Sequence, residues 1–156
     1  MIDKTISRLK TTCFGYNDCH HGECFHSALI TLRFIGTVSD DVIWINNLIK
    51  YYNKYNGEVK RHSGTVWYYW LCLSEMPFDI AKPEIDKYKK EMHNRLRNRS
   101  YVMNSENDRA IHPVLLCILR NNIAKYEEFN YIKDRQPYIN EKDGRLYFDM
   151  REENVI

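Results

Sequence analysis

One stretch of this chain constrains the fold more than any other, because it is apolar on every side. Positions 65–73 carry four aromatic residues and no charge, and chain-breaking residues flank them at Gly64 and Pro77. Large side chains occupy alternate positions on both sides of the stretch, as in a strand that is covered on both faces. Short aromatic-rich segments favour strands over helices. We therefore predict that 65–73 is a central, buried β-strand.

The composition predicts one globular domain over residues 1–156. A chain of 156 residues with 44% hydrophobic and 28% charged residues has the ordinary balance of a folded domain and can bury its own core. The net charge of +2 is far below that of proteins held mainly by phosphate contacts. We do not expect nucleic acid to be the main partner.

The sequence predicts a cytoplasmic protein without a membrane partner. Its first ten residues contain no apolar core of the kind that a signal peptide needs. No apolar run approaches the roughly 18 residues of a membrane span. The five cysteines are odd in number and are not spaced as a disulfide framework, so we expect reduced thiols.

The chemically densest segment is 13–26, in which six of fourteen residues are cysteine or histidine. A two-residue hairpin loop at 22–23 would place four of them on one face: Cys19, His21, Cys24 and His26. Two thiolates and two imidazoles can bind zinc tetrahedrally. In the alternative interpretation, the cysteines are small core residues, the histidines are solvated turn residues, and there is no cofactor.

The next segment, 27–35, fits two structures. As a strand it places Ala28 and Phe34 on one face, and its β-branched and aromatic residues favour that interpretation. As a helix it aligns Phe25 with Ile35 along one stripe and ends at Gly36. The helix would also separate Cys24 and His26 from the predicted hairpin.

Three further segments have the spacing of amphipathic helices. The first begins at Ser39, which is predicted to be its N-cap, and ends before Gly57. The second is a basic helix over 82–99 with Pro83 at its first position, and it has seven basic against three acidic residues. The third begins near Ser105 or at Pro113, and its apolar stripe continues past residue 123.

The tail from 138 to 150 is predicted to be a β-hairpin. Asp143-Gly144 is a typical two-residue hairpin turn, and this turn places Ile139 opposite Phe148. With the central strand, hairpins near both ends and about three helices, the sequence predicts an α+β fold.

No catalytic residue is assigned, and we predict that the protein is not an enzyme. The sequence has no phosphate-binding loop, no Gly-x-Ser-x-Gly, no His-Glu-x-x-His and no dinucleotide fingerprint. Cys24 with His26, or Cys72 with a distant histidine, would supply a nucleophile and a base. Nothing in the sequence brings such a pair together, and we interpret both cysteines as inert thiols.

Charge separates along the chain into a basic helix and an acidic tail. The acidic tail is the predicted partner-binding surface, with Glu127, Glu128, Asp134, Glu141, Asp143, Asp149, Glu152 and Glu153. Twelve tyrosines are too many for the core alone. Surface tyrosines beside charges are typical of protein interfaces.

In size, single-domain character, tyrosine-rich surface and lack of catalytic motifs, the chain resembles the small immunity proteins of bacterial contact-dependent growth-inhibition systems. The resemblance covers no particular segment. It implies a non-catalytic inhibitor that covers the active site or substrate surface of a toxin, for example a nuclease, encoded by a neighbouring gene. A basic toxin would bind the acidic tail and an acidic toxin the basic helix. The alternatives are a zinc module at 13–26 and a nucleic-acid-binding protein or nuclease that uses 82–99.

Overall fold

The computed structural model describes residues 1–13, 24–55, 63–97, 100–102, 106–133, 138–142 and 145–149. The chain divides into two compact units, Met1–Ala81 and Lys82–Ile156. The prediction of one domain over 1–156 stays a prediction. Among the described residues, no helix is both long enough and apolar enough to span a bilayer.

The elements that the structure describes in the first unit are helices. They are α1 (Ile2–Lys10), α2 (Phe25–Val38), α3 (Val42–Tyr55) and α4 (Ser63–Glu75), followed by the start of α5 (Phe78–Arg97). The second unit contains the rest of α5 and then β1 (Ser100–Val102), α6 (Glu106–Ile123), a 3-10 helix (Glu127–Ile132), β2 (Tyr138–Lys142) and β3 (Arg145–Asp149).

The stretch predicted to be the central strand is helix α4, so that prediction is wrong. Its buried positions recur at helical spacing: Thr65, Tyr69, Trp70, Cys72 and Leu73. A run that is apolar on every side suits a buried helix as well as a buried strand, and only packing decides between them.

The ambiguous segment 27–35 lies within helix α2, so the preference for a strand is also wrong. The stripe from Phe25 to Ile35 is buried, as the helical alternative requires. The helix does not end at Gly36 but continues to Val38. A Cβ on Gly36 would lie 2.7 Å from Cε of Met76, the residue that follows α4. The glycine therefore allows α2 to approach the residue after α4 closely, and it does not end a helix.

The helix predicted after Ser39 is confirmed as α3, but its capping residue is Asp41. The backbone N–H of Trp44 donates to Oδ1 of Asp41 at 3.1 Å, which is the usual N-cap bond. Oγ of Ser39 accepts from the Asp41 backbone N–H at 3.2 Å. Ser39 therefore orders the residue that caps the helix.

The core of the first unit is organised around a stack of three aromatic rings. The ring of Tyr52 in α3 stacks on Phe25 of α2 at 5.5 Å and on Tyr69 of α4 at 3.8 Å between centroids. At the surface of the same unit, Arg33 of α2 donates to both carboxylate oxygens of Glu75 of α4, at 2.6 and 2.7 Å. Aromatic packing thus joins α2, α3 and α4. The bidentate ion pair is a second link between α2 and α4.

The predicted α+β class is wrong, and the protein is all-α in class. Among the described residues, the buried side chains come from helices and the turns that adjoin them. One small antiparallel sheet, in the order β1-β3-β2, accompanies them. In it Ile139 pairs with Phe148, which is the register that the Asp143-Gly144 turn predicts.

Helices α5 and α6 were predicted with displaced ends. Helix α5 begins at Phe78, so Pro83 lies within it instead of at its first position. Helix α6 begins at Glu106, near the predicted Ser105, and ends at Ile123. The predicted stripe beyond residue 123 falls in the 3-10 helix.

Candidate protein-binding surface

The 3-10 helix Glu127–Ile132 carries the candidate site. Tyr126 precedes it in an extended conformation, with φ of −86° and ψ of 138°, and turns the chain away from the axis of α6. Tyr126 and Ile132 are buried at its two ends. Three large side chains between them face solvent and define the 3-10 surface: Glu127, Glu128 and Tyr131. Tyr131 keeps 58% of its area exposed.

Lys89 of α5 holds this surface in place. Its Nζ lies 3.9 Å from the centroid of the Tyr126 ring and 5.5 Å from that of Phe129. The same Nζ donates to Oε1 of Glu128. One ammonium group therefore makes two cation–π contacts and an ion pair, and each contact holds the 3-10 helix against α5.

A buried phenol makes a second anchor. The hydroxyl of Tyr126 donates to Oδ1 of Asp86 at 2.6 Å, and Nζ of Lys82 donates to Oδ2 of the same carboxylate at 2.8 Å. Lys82 and then Tyr126 lower the pKa of Asp86. Burial, with the Asp86 bond, raises the pKa of Tyr126. At neutral pH the phenol is therefore a donor and the carboxylate an acceptor.

The two acidic groups of the surface differ in their surroundings. Lys89 lowers the pKa of Glu128 and partly neutralises its negative charge. Glu127 is exposed and has no ion-pair partner among the residues that the structure describes. Both carboxylates lie in the first turn of the 3-10 helix, where the helix dipole favours negative charge. A basic partner would therefore meet, at Glu127, a carboxylate that pairs with no described cation, on the same short helix as the exposed Tyr131.

The structure describes part of the predicted acidic tail. It brings Glu127 and Glu128 together on one short helix. Glu141 and Asp149 lie in β2 and β3, paired through the backbone with Leu146 and Tyr138. The other predicted residues lie outside the described part: Asp134, Asp143, Glu152 and Glu153.

Acidic side chains of the same unit neutralise most of the described positive charge of the predicted basic helix. Four of the seven basic residues predicted to form its surface are in ion pairs: Lys82 with Asp86, Lys87 with Glu84, Lys89 with Glu128, and Arg95 with Glu91. Glu84 is only 7% exposed. This pairing reduces the positive potential that a nucleic-acid backbone would meet.

The predicted zinc hairpin is wrong in its geometry. Cys24 is the N-cap of α2 and His26 lies in the first turn of that helix, so neither belongs to a strand. Cys19 and His21 lie outside the described residues. Within the described ranges, no three Cys, His, Asp or Glu side chains are grouped as metal ligands. A metal site at 13–26 stays a prediction.

The sequence also offered Cys72 as a nucleophile, and its environment opposes that role. The side chain is buried, and its Sγ–H donates to the Leu29 carbonyl at 3.7 Å. Burial raises the pKa of the thiol to about 12. The thiolate, which is the reactive form, is therefore scarce at neutral pH.

A groove of about 340 Å³ lies between α2 and the start of α4. It is lined by His26, Leu29, Ile30, Gly64, Thr65 and Tyr68. None of these lining residues is a carboxylate or a thiol that would act with His26 as an acid–base pair or a nucleophile. The groove offers apolar contact, and we assign it no chemistry.

No protein-family model, curated protein or solved structure matches this chain. The functional assignment therefore depends on the residues of the 3-10 surface and their anchors. The sequence pointed to Glu127 and Glu128 through the acidic run and to Tyr131 through the tyrosine surplus. It did not point to Lys89, because the residues that Lys89 contacts lie 37 to 40 positions later in the chain: Tyr126, Glu128 and Phe129.

Proposed function

We propose that this protein is a non-catalytic, protein-binding inhibitor of the immunity type, acting in the cytoplasm on a toxin domain encoded by a neighbouring gene. It would neutralise the toxin by covering its active site or substrate surface. The observation that carries the proposal is the 3-10 surface, where an exposed tyrosine and two carboxylates lie on a short helix.

The anchoring of this surface supports a binding role. Rigid side chains lose less conformational entropy on association than mobile ones. Tyr126, Lys89 and Ile132 fix the helix before any partner arrives. Tyrosine is among the residues that contribute most at interface hot spots. Tyr131 is therefore the proposed anchor of the contact.

The charge of the surface indicates what kind of partner fits. Carboxylates at an interface attract a basic partner and raise its association rate at low salt. A nuclease, whose substrate surface must be basic to hold phosphates, has that chemistry. The internal ion pairs of α5 make the opposite arrangement, an acidic toxin on the basic helix, the weaker alternative.

Co-expression with the adjacent open reading frame tests the proposal. Host cells would carry that gene under a tight promoter, alone or with this protein, and survivors would be counted after induction. We expect the neighbour to kill and this protein to restore growth. A toxic neighbour that this protein does not neutralise would contradict the proposal, as would a harmless neighbour. A pull-down from the rescued cells would then test direct binding.

A further inference from the structure

Helix α1 carries an apolar stripe that its unit covers only in part. Ile2, Ile6 and Leu9 lie at i, i+4 and i+7 and therefore on one side of the helix. No residue of α1 is buried. Ile2 keeps 50% of its area exposed, and Ile6 and Leu9 are half-buried. A stripe of this kind is typical of a helix that covers its apolar side on another surface.

The polar side of α1 is basic. At 3.6 residues per turn, Arg8 and Lys10 flank the stripe on opposite sides and Lys4 lies behind it. Asp3 is the one acidic residue of the helix. Lys4 and Arg8 are exposed. The helix thus combines an aliphatic stripe with positive charge on its polar side.

Lys10 ties this helix to the rest of the unit. Its Nζ donates to Oδ2 of Asp41 at 2.9 Å and lies 5.5 Å from the centroid of the Trp44 ring. Asp41 caps α3. One ion pair therefore connects α1 to the start of the core helix α3.

The composition of α1 distinguishes between two classes of partner. Protein interfaces are enriched in aromatic residues and depleted in lysine, whereas the stripe is aliphatic and two of the three basic residues are lysines. Helices that lie on membranes have this combination, with apolar residues in the lipid boundary and Lys and Arg towards anionic headgroups. Charge complementarity therefore favours an anionic lipid surface over an acidic protein.

We propose that α1 lies on the surface of membranes that contain anionic lipids, with Ile2, Ile6 and Leu9 in the lipid boundary. The attachment is peripheral and reversible, because one short helix buries few side chains. It does not depend on the 3-10 surface, and it differs from the expectation, drawn from the sequence, of a protein without a membrane partner. It would hold the protein beside the membrane.

Co-sedimentation of the full chain with vesicles tests this. One set of vesicles contains phosphatidylcholine alone and the other contains phosphatidylserine at about one third of the lipid, since each basic residue near an anionic surface adds attraction that salt screens. We expect binding to the anionic vesicles at low salt, little binding to the neutral ones, and release at high salt. Equal binding to both sets, or no binding to the anionic set, overturns the proposal.

Matched variants locate the contact. Reversing two charges with K4E/R8E should lower the partition coefficient at least about tenfold, because each lost attraction is worth a factor of several. I2S should lower it about threefold by removing a half-exposed aliphatic side chain. The controls are I111S in α6, where Ile111 has the same 50% exposure, and K50E at an exposed position of α3. Controls that lose binding as strongly as the α1 variants would also overturn the proposal.

Discussion

Asp41 makes two stabilising contacts at the start of α3. It accepts the N-cap bond from Trp44 and the ion pair from Lys10. D41A removes both contacts and should lower the free energy of unfolding by about 1–2 kcal/mol, a typical loss for an N-cap. D41N keeps a capping oxygen and loses only an exposed ion pair, which is worth about 0–1 kcal/mol. Urea unfolding of both variants measures the difference, and an equal loss would contradict the capping role.

Asp41 should also make the free energy of unfolding depend on pH. Lys10, and then the Trp44 backbone N–H, lower the pKa of Asp41 in the folded state. The folded state then binds fewer protons than the unfolded state, so this stabilisation is complete above the unfolded pKa of about 3.9 and is lost as pH falls through the folded pKa. The D41N deficit should therefore be present at pH 7 and shrink below about pH 4. A deficit that does not change with pH would exclude the ion pair as its cause.

At the scale of the elements, the approach of α2 to Met76, the residue that follows α4, depends on Gly36. Alanine in its place would gain about 1 kcal/mol of helix propensity. Its Cβ would also lie 2.7 Å and 2.8 Å from Cε and Cγ of Met76, and such overpacking costs about 1–3 kcal/mol. Because Cγ lies near the backbone, Met76 cannot yield by moving its terminal methyl alone. We expect G36A to be destabilising.

A double-mutant cycle isolates this contact. M76A alone should cost about 2–5 kcal/mol by leaving a cavity. In G36A/M76A the new methyl occupies part of that cavity, so the double variant should be more stable than the sum of the single losses predicts. Thermal unfolding of the four proteins gives the coupling free energy. Additive losses would show that the methyl and Met76 do not compete for space.

The elements that the sequence predicted well are those with local signals. Helix α3 has capping residues and a clear apolar stripe, and the pairing of β2 with β3 follows from its two-residue turn. Helix α4 has no such signal, because Trp67, Tyr68, Tyr69 and Trp70 make every face apolar. Its structure is decided by packing against α2, which lies about 40 positions away along the chain.

The anchors of the 3-10 surface were beyond sequence reasoning for a related reason. Glu127 and Glu128 are visible as part of an acidic run, and the basic residues of α5 are visible as a charged helix face. That Lys89 meets Tyr126, Phe129 and Glu128 depends on how α5 lies against the chain after α6. No residue pattern encodes that arrangement.

At the scale of the whole molecule, the two proposed surfaces belong to different units. Helix α1 lies in Met1–Ala81 and the 3-10 surface in Lys82–Ile156. Lys10 of α1 pairs with Asp41, whereas Lys89 pairs with Glu128 of the 3-10 surface. Substitutions that share no partners usually have additive effects. K4E/R8E should therefore weaken vesicle binding and leave inhibition unchanged, whereas changes to the 3-10 surface should do the reverse. A variant that impairs both would contradict the independence of the two sites.

We propose that the 3-10 surface is the part of the protein that inhibits a toxin. The most direct measurement is survival of cells that express the neighbouring gene together with E127K/Y131A. The control is D79K, since Asp79 is also an exposed acidic residue in the first turn of a helix. If both proteins keep the thermal stability of the wild type, we expect loss of rescue by at least about tenfold with E127K/Y131A, a typical hot-spot effect, and full rescue with D79K. Full rescue by both variants would contradict the claim.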